Sequence, residues 1–473
     1  MIIKIKQSLK GFLLCDWPQC LLRSYWREVP EVQKTYLLLR AKNAEAAAQR
    51  LKTEIIDCEV FIRLRNEHGE RYEEFMKDKL VAVVGNITGH PCLGMDADLA
   101  GVIASQIDVI VNVAADTRWH ARYDVLLDVN VRGVSRLLAF AMNCKKLLLL
   151  LHVSTAFVTR KAVGVVHENP IVMEKSKLRT VNSNSDVPAE LDIKAELKIV
   201  DDLLASGIQE CKLPREMIKL GMRRTKLHGY ANAYILTKVM GEMIVSTMGD
   251  KLPTVIIRPS FIGNSLQEPF AGWIEKYRGM DPIILSYGEG QMQGILADPN
   301  GIIDIVPVDI LANAIVVAIA NHAISGKLGV HVYHLASSMV KPLQLQTLFK
   351  YCCNYFALHP FKDSKGDKIK VEEMDFYASL DEYILAGMNS KPSNEKLYSH
   401  IVRIAAIYEP ILMLRLRFNN MNTQNLFEAM FSEEKKIFNF DVNRIDWKDY
   451  FMNIQLRGLT KHILKKKNLS PKL

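Results

Sequence analysis

The sequence predicts an α/β protein: a doubly wound parallel sheet followed by a smaller, mainly helical C-terminal domain. Three observations carry that expectation. Short apolar runs bounded by turn residues alternate with helical patterns through the first two thirds of the chain. Several of those runs end in small or hydroxyl-bearing residues, the chemistry found where strands of an open parallel sheet meet a ligand crevice. Beyond residue 340 the strand signals thin out and helical patterns take over.

In chain order, Lys34 to Arg40 (KTYLLLR) reads as a strand, followed by the helical run AEAAAQRLKTEII. Leu80 to Val84 is a second strand, ending in Gly85-Asn86-Ile87-Thr88-Gly89. Strands are expected at 108–113 and 146–153, with a helix near Val131 to Asn143 between them, and at Pro253 to Arg258. The region 160–230 reads as an insertion. Its polar part, 174–188, is expected as a surface loop. A helix follows, with Ile193, Leu197, Val200 and Leu204 on one face and Gly207 at its end. Asp309 is placed to cap a helix over ILANAIVVAIANH. The division expected is 1–340 for the sheet domain, 341–396 as a connection, and 397–473 as the helical domain. Phe427, Phe431, Phe438, Phe440, Trp447, Tyr450 and Phe451 would form the core of that last part.

At 473 residues the chain exceeds one usual core, which suits one large and one smaller domain. Eight cysteines without Cys-x-x-Cys spacing indicate free thiols in a reducing compartment and no metal site. A net charge of +9 suits an anionic cofactor, coenzyme A phosphates or peripheral contact with an acidic membrane. No interleaved aromatic or zinc pattern points to nucleic acid. The apolar stretch Ile302 to Ile324 carries Asp304, Pro307, Asp309 and Asn313, so it is not expected to span a bilayer. The opening residues match neither a signal nor a transit peptide. An intracellular protein follows, cytosolic or peripheral at the endoplasmic reticulum.

The chemistry is concentrated in GYANAYILTKVMGE, residues 229–242. Tyr234 and Lys238 are four apart and share a helix face. An ammonium there would lower the phenol's pKa, and a phenol so tuned exchanges a proton as a carbonyl is reduced. Alone that pair is a weak signal. Ser154 and Thr155, at the end of the 146–153 strand, add hydroxyls at the same rim.

Taken together, the blocks YLLLRAKNAEAAAQRL, DVIVNVAADTRWHARYDVLLDVNVRG, HVSTAFVTRK, GYANAYILTKVMGE, PTVIIRPSFIG and DIVPVDILANA resemble the plant-type alcohol-forming fatty acyl-CoA reductases. These are extended short-chain dehydrogenase/reductases with a Rossmann-like sheet. The end of the chain, from Met421, is similar to their male-sterility-type helical domain. The resemblance implies reduction of a long-chain acyl-CoA by NADPH to a primary alcohol, through a thiohemiacetal and an aldehyde, for wax, suberin or pollen-wall lipid. Tyr234 would protonate the alkoxide, and Lys238 would tune it and contact the nicotinamide ribose. Ser154 or Thr155 would hold the carbonyl oxygen, the spacing to Val158 favouring Thr155. Arg40 and Lys42 would read the cofactor's 2′-phosphate. Asn86, standing where the family has an aspartate, would lie at the adenine, Ile87 would belong to the cofactor site, and Asn112, Ala114 and Ala115 would line the cofactor's path.

The pattern departs at the front. Of the family's Gly-x-x-Gly-Phe-Leu turn, which brings the pyrophosphate to a helix N-terminus, only Gly11-Phe12-Leu13 stands here, with Ser8 at the earlier glycine. The preceding MIIKIKQ makes a poor first strand, and Pro18 falls inside the following helix. Residues 1–27 are therefore atypical, and family pattern resumes at Glu28. Two explanations stand: a divergent or inactive relative, or a wrongly joined first exon. Two other functions follow from these alternatives: a weak or silent homologue that binds acyl-CoA or partner reductases, or a reductase of another carbonyl substrate.

Overall fold

The computed structural model describes residues 9–14, 33–160, 162–171, 191–389 and 395–469. Seven parallel strands form the central sheet: β1 Gly11–Leu14, β2 Thr35–Leu39, β3 Leu80–Val84, β4 Val109–Asn112, β5 Leu149–Val153, β6 Thr254–Pro259 and β7 Val330–Leu335. Their spatial order is β3-β2-β1-β4-β5-β6-β7. The order reverses between β1 and β4, which opens a crevice at the carboxyl ends of those strands.

The strands are apolar on both faces because helices cover both. Leu13, Val109, Val111, Leu149, Leu151, Val255 and Ile257 face one core. Phe12, Leu14, Ile110, Leu150 and Ile256 face the other. Such continuous apolar runs belong to parallel strands buried on both sides. The first core also takes in Trp447, Tyr450, Phe451 and Leu456 from the end of the chain. The C-terminal helices thus pack into the sheet's own core. Arg415–Phe418 pairs with Val163–Val166, and Asp375–Tyr377 pairs with Gly294–Leu296. The stretch expected as a connection therefore supplies a strand, as well as the helix Leu380–Asn389.

Three expectations are corrected. Gly11, Phe12 and Leu13, assigned to the phosphate-binding turn, form β1 itself. Gly11 pairs with Thr35 and Val109 at the strand's amino end, away from the crevice. Backbone amides committed to a parallel ladder cannot turn toward a phosphate. Ser8, Pro18 and the MIIKIKQ segment lie outside the described residues, as does the expected loop 174–188.

The second correction is β7, which the sequence reading did not include. Its VHVYHL has two histidines that interrupt the apolar run. The third is Asp309, which does not cap its own helix. Pro307 precedes the helix Val308–Ser325, and the Asp309 carboxylate accepts the backbone N–H groups of Leu266, Gln267 and Glu268. It anchors a loop. By length and mean hydropathy of 1.6 the same helix could cross a bilayer, yet 72% of that window is buried. It packs on β5 and β6.

The insertion is tied down by a buried ionic cluster. Glu196, on the helix Ile193–Ala205, accepts from Arg224 and Tyr123 and bonds His228. Burial alone would raise the Glu196 pKa, but the bonds from His228, Arg224 and Tyr123 outweigh it and hold it at about 2.

Candidate active site

The tyrosine helix, Ala233–Ser246, begins where the helix Leu213–His228 ends at Gly229, whose φ of 71° suits glycine. Asn232 caps it, accepting the Ile235 N–H. Gly241 sets how closely it approaches the helical segment 123–141: a Cβ there would lie 2.6 Å from the Asn130 carbonyl oxygen. At that crossing Asn130 donates to Thr237 Oγ1 and to the Asp116 carbonyl, and accepts the Asp116 N–H. One buried amide thereby joins the loop after β4 to the tyrosine helix. The sequence reading missed it.

Lys238 is 2% exposed and its ammonium points at β5. It donates to the Val153 carbonyl at 2.9 Å and lies 3.3 Å from His152 Nε2. His152 Nδ1 is in turn 3.0 Å from the Asn112 amide. Burial lowers the Lys238 pKa to about 8, with Glu242 opposing. His152 is held well below 6.5, first by burial and then by Lys238.

The expected lowering of Tyr234 is not what the structure shows. Burial raises its phenol above the ordinary value of 10, and the Lys238 ammonium is bonded to β5. At neutral pH the phenol therefore carries its proton. Ser154 and Thr155 follow β5 directly. Ser154 Oγ is buried without a hydrogen-bond partner, whereas Thr155 Oγ1 accepts a long 3.4 Å bond from the Phe157 N–H.

A cleft of ≈ 870 Å³ opens at the carboxyl ends of β1 to β4, and its lining includes none of Tyr234, Lys238, Ser154 and Thr155. Of the cofactor candidates, Arg40, Asn86, Ile87, Ala114 and Ala115 line it. Lys42 is exposed outside the lining, and Asn112 is buried in the sheet against His152. From β1 only Leu14 reaches the cleft. Asp116, Arg118, Arg132 and Lys276, not singled out in the sequence, also face it. Most of their charge is internally matched: Arg118 bonds Asp116, and Arg132 bonds Asp201.

The missed residue with a readable signal is His152. A histidine in LLLLLHV is costly to bury without partners, so its presence demands them.

A doubly wound sheet with a Tyr-x-x-x-Lys helix beside a strand-end hydroxyl defines an extended short-chain dehydrogenase/reductase, an oxidoreductase. Comparison narrows the class. An NAD-binding family profile described as "Male sterility protein" matches residues 18–315, and a second with the same description matches residues 376–466. "Fatty acyl-CoA reductase 2, chloroplastic" of Arabidopsis thaliana is 39% identical over 480 residues, covering 96% of this chain and 77% of the relative. "Alcohol-forming fatty acyl-CoA reductase" of Simmondsia chinensis is 32% identical over 466 residues, covering 93% of each.

Among solved structures, the terminal R domain of the myxalamid pathway superposes with a TM-score of 0.59 at 14% identity, covering 98% of this chain and 92% of that one. The R domain of a Mycobacterium tuberculosis nonribosomal peptide synthetase gives 0.57 at 18%, covering 96% and 93%. These two speak for the fold. The chain belongs to the plant-type fatty acyl-CoA reductase family. Its cofactor is a nicotinamide dinucleotide, for which the small residues and volume of the cleft leave room.

Proposed function

We propose that this protein reduces long-chain fatty acyl-CoA to a primary fatty alcohol with NADPH, by way of the aldehyde, for wax, suberin or pollen-wall type lipid. The observation that supports the reading is that Lys238, one turn from Tyr234 on its helix, bonds the last carbonyl of β5, next to the unpartnered buried hydroxyl of Ser154. A buried hydroxyl with no protein partner is costly unless a ligand completes it.

When bound, NADPH supplies hydride. The protein's own groups handle oxygen and protons. Tyr234, kept protonated by burial, donates to the substrate oxygen as it gains charge. Ser154, or Thr155 in the alternative register, donates a hydrogen bond to that oxygen. Lys238 has three N–H donors, two directed at Val153 and His152, and its third is left for the nicotinamide ribose. Asn86, Ile87, Ala114 and Ala115 line the cofactor's path, and Arg40, with Lys42 beside it, favours a 2′-phosphate.

An apolar substrate is supported by the aromatic group beside Thr155. Phe157 packs on Phe261 and Phe418 at 5.2 Å between centroids, and Trp119 packs on Tyr408 at 4.8 Å. Peripheral membrane contact is supported by the helix Leu213–His228. Its outer stripe carries Arg215, Lys219, Arg223 and Lys226 around Met222, which is 68% exposed.

Expression in a host lacking fatty alcohols, with lipids profiled by gas chromatography, tests the activity; new long-chain primary alcohols are expected. No alcohol, together with no NADPH-induced fluorescence change, would favour the silent homologue that Ser8 and Pro18 suggest.

A further inference from the structure

We propose that His152 and Asn112 are positioning residues for Lys238: Asn112 fixes the imidazole as the Nδ1–H tautomer, so that Nε2 accepts from the lysine ammonium. The inference rests on the reading of Lys238 given above, and goes beyond it by naming what aims the lysine.

Donors and acceptors fix the arrangement. An ammonium has only donors, so a charged Lys238 at 3.3 Å requires Nε2 to accept. The ring proton must then sit on Nδ1, and the group 3.0 Å from Nδ1 must be an acceptor. Asn112 has one to offer. Its Oδ1 lacks a hydrogen-bond partner, and the two ends of an amide exchange by a half turn of the side chain. Turned so, the carbonyl takes the Nδ1–H and Lys238 gains its second acceptor.

The opposite arrangement, with the amide nitrogen on Nδ1, puts the proton on Nε2 and suits only an uncharged lysine. Asn112 orientation and Lys238 charge are therefore linked across three residues. All three side chains are buried: Asn112 at 0%, His152 at 1% and Lys238 at 2% exposure.

A second histidine shows the same wiring completed. His334 Nε2 lies 3.2 Å from the Arg258 guanidinium, which can only donate, and its Nδ1 lies 2.8 Å from the Asn419 carbonyl, which can only accept. The titratable and charged groups around Lys238 are Tyr234 and Glu242 on its own helix, His152 on β5, and Arg258 on β6, which is engaged by Glu242.

The test compares His152→Leu, His152→Gln and Asn112→Leu in the full chain, reading kcat and KM for NADPH across about pH 6 to 10. With Lys238 at about 8, wild-type activity should fall as the ammonium deprotonates above that pH. Removing the acceptor destabilises the charged form, so His152→Leu should move this alkaline limb down by about one pH unit. The same shift should cut the rate about 2-fold at pH 7 and nearly 10-fold at pH 9. His152→Gln, which keeps an acceptor oxygen, should restore the limb. Asn112→Leu should shift it in the same direction as His152→Leu, by less.

An unmoved limb in His152→Leu, or a Gln variant no better than Leu, overturns the inference and leaves His152 a packing residue. If the Leu variant does not fold, the Gln variant and Asn112→Leu decide by the same two criteria. Lys238→Ala separates the two levels. Wild-type activity in that variant defeats the reading of the site itself, whereas an inactive Lys238→Ala with an unshifted His152→Leu defeats only the inference.

Discussion

Lys238 and Glu242 sit one turn apart on the tyrosine helix, both buried, and their surroundings differ in how completely they are hydrogen-bonded. Glu242 is saturated. Arg258 donates to it through Nε and Nη2, and uses its other N–H groups on His334 and the Asn169 carbonyl. Around Lys238 the accounting is open: Ser154 Oγ has no partner, and the ammonium keeps a spare donor. Buried polar groups are normally satisfied. The closed region therefore reads as architecture, and the open one as half of an interface whose other half is a ligand.

The largest expected effect tests the open side. Tyr234→Phe should lower turnover by about 10²–10⁴-fold, the usual worth of a positioned general acid, with the unfolding midpoint unchanged. Wild-type turnover in that variant would remove Tyr234 from the chemistry. A loss of stability as large as the loss of rate would erase the contrast between the two regions.

Next comes the closed side. Arg258→Met strands Glu242 as an unpaired buried charge, and should cost about 3–5 kcal/mol in urea unfolding. Turnover per folded molecule should stay near wild type below the midpoint, since Arg258 is engaged by Glu242, His334 and Asn169. A stable but inactive Arg258→Met would mean that the saturated cluster also serves the reaction.

A smaller effect sharpens the boundary inside the open region. Ser154→Ala should cost about 10²-fold in kcat, as for a lost oxyanion donor, with little change in stability because no protein hydrogen bond is lost. Thr155→Val removes the acceptor for Phe157 and should cost less in rate. The reverse order would assign the carbonyl oxygen to Thr155, as the spacing to Val158 suggested.

Most of the sheet could be read from sequence because buried parallel strands are written as unbroken apolar runs. Thr35–Leu39 and Leu80–Val84 fall within or on the expected limits. What could not be read depends on long-range partners. VHVYHL hides β7 because His334 is buried only by virtue of Arg258 and Asn419, residues far away in the chain. Asp309 looks like a cap because capping is local, yet its carboxylate serves a loop some forty residues upstream. Gly11 looks like part of a turn because a motif carries no register, and pairing with Thr35 and Val109 decides otherwise. At the site, the spacing placed Tyr234 and Lys238 on one helix, and Lys238 bonds the last carbonyl of β5, which Ser154 and Thr155 follow. The direction of the lysine and the burial of the phenol came from packing, which no spacing encodes.

The smallest expected effect lies at the far end of the cleft, where cofactor choice is proposed to reside. Arg40 lines the cleft and Lys42 stands exposed beside it, so both act in water, where a charge contact contributes little and salt screens it. Arg40→Ala should raise KM for NADPH by roughly 3- to 10-fold and leave NADH nearly unchanged, because only the phosphate is lost as a partner. Lys42→Ala should do less, by its position outside the lining. Raising ionic strength should mimic both variants in the wild type, while leaving the buried Lys238 region almost unaffected. Equal losses for the two cofactors in Arg40→Ala would show that this cation does not read the 2′-phosphate. Lys276, which faces the same cleft from a distant part of the chain, would then be the next cation to replace.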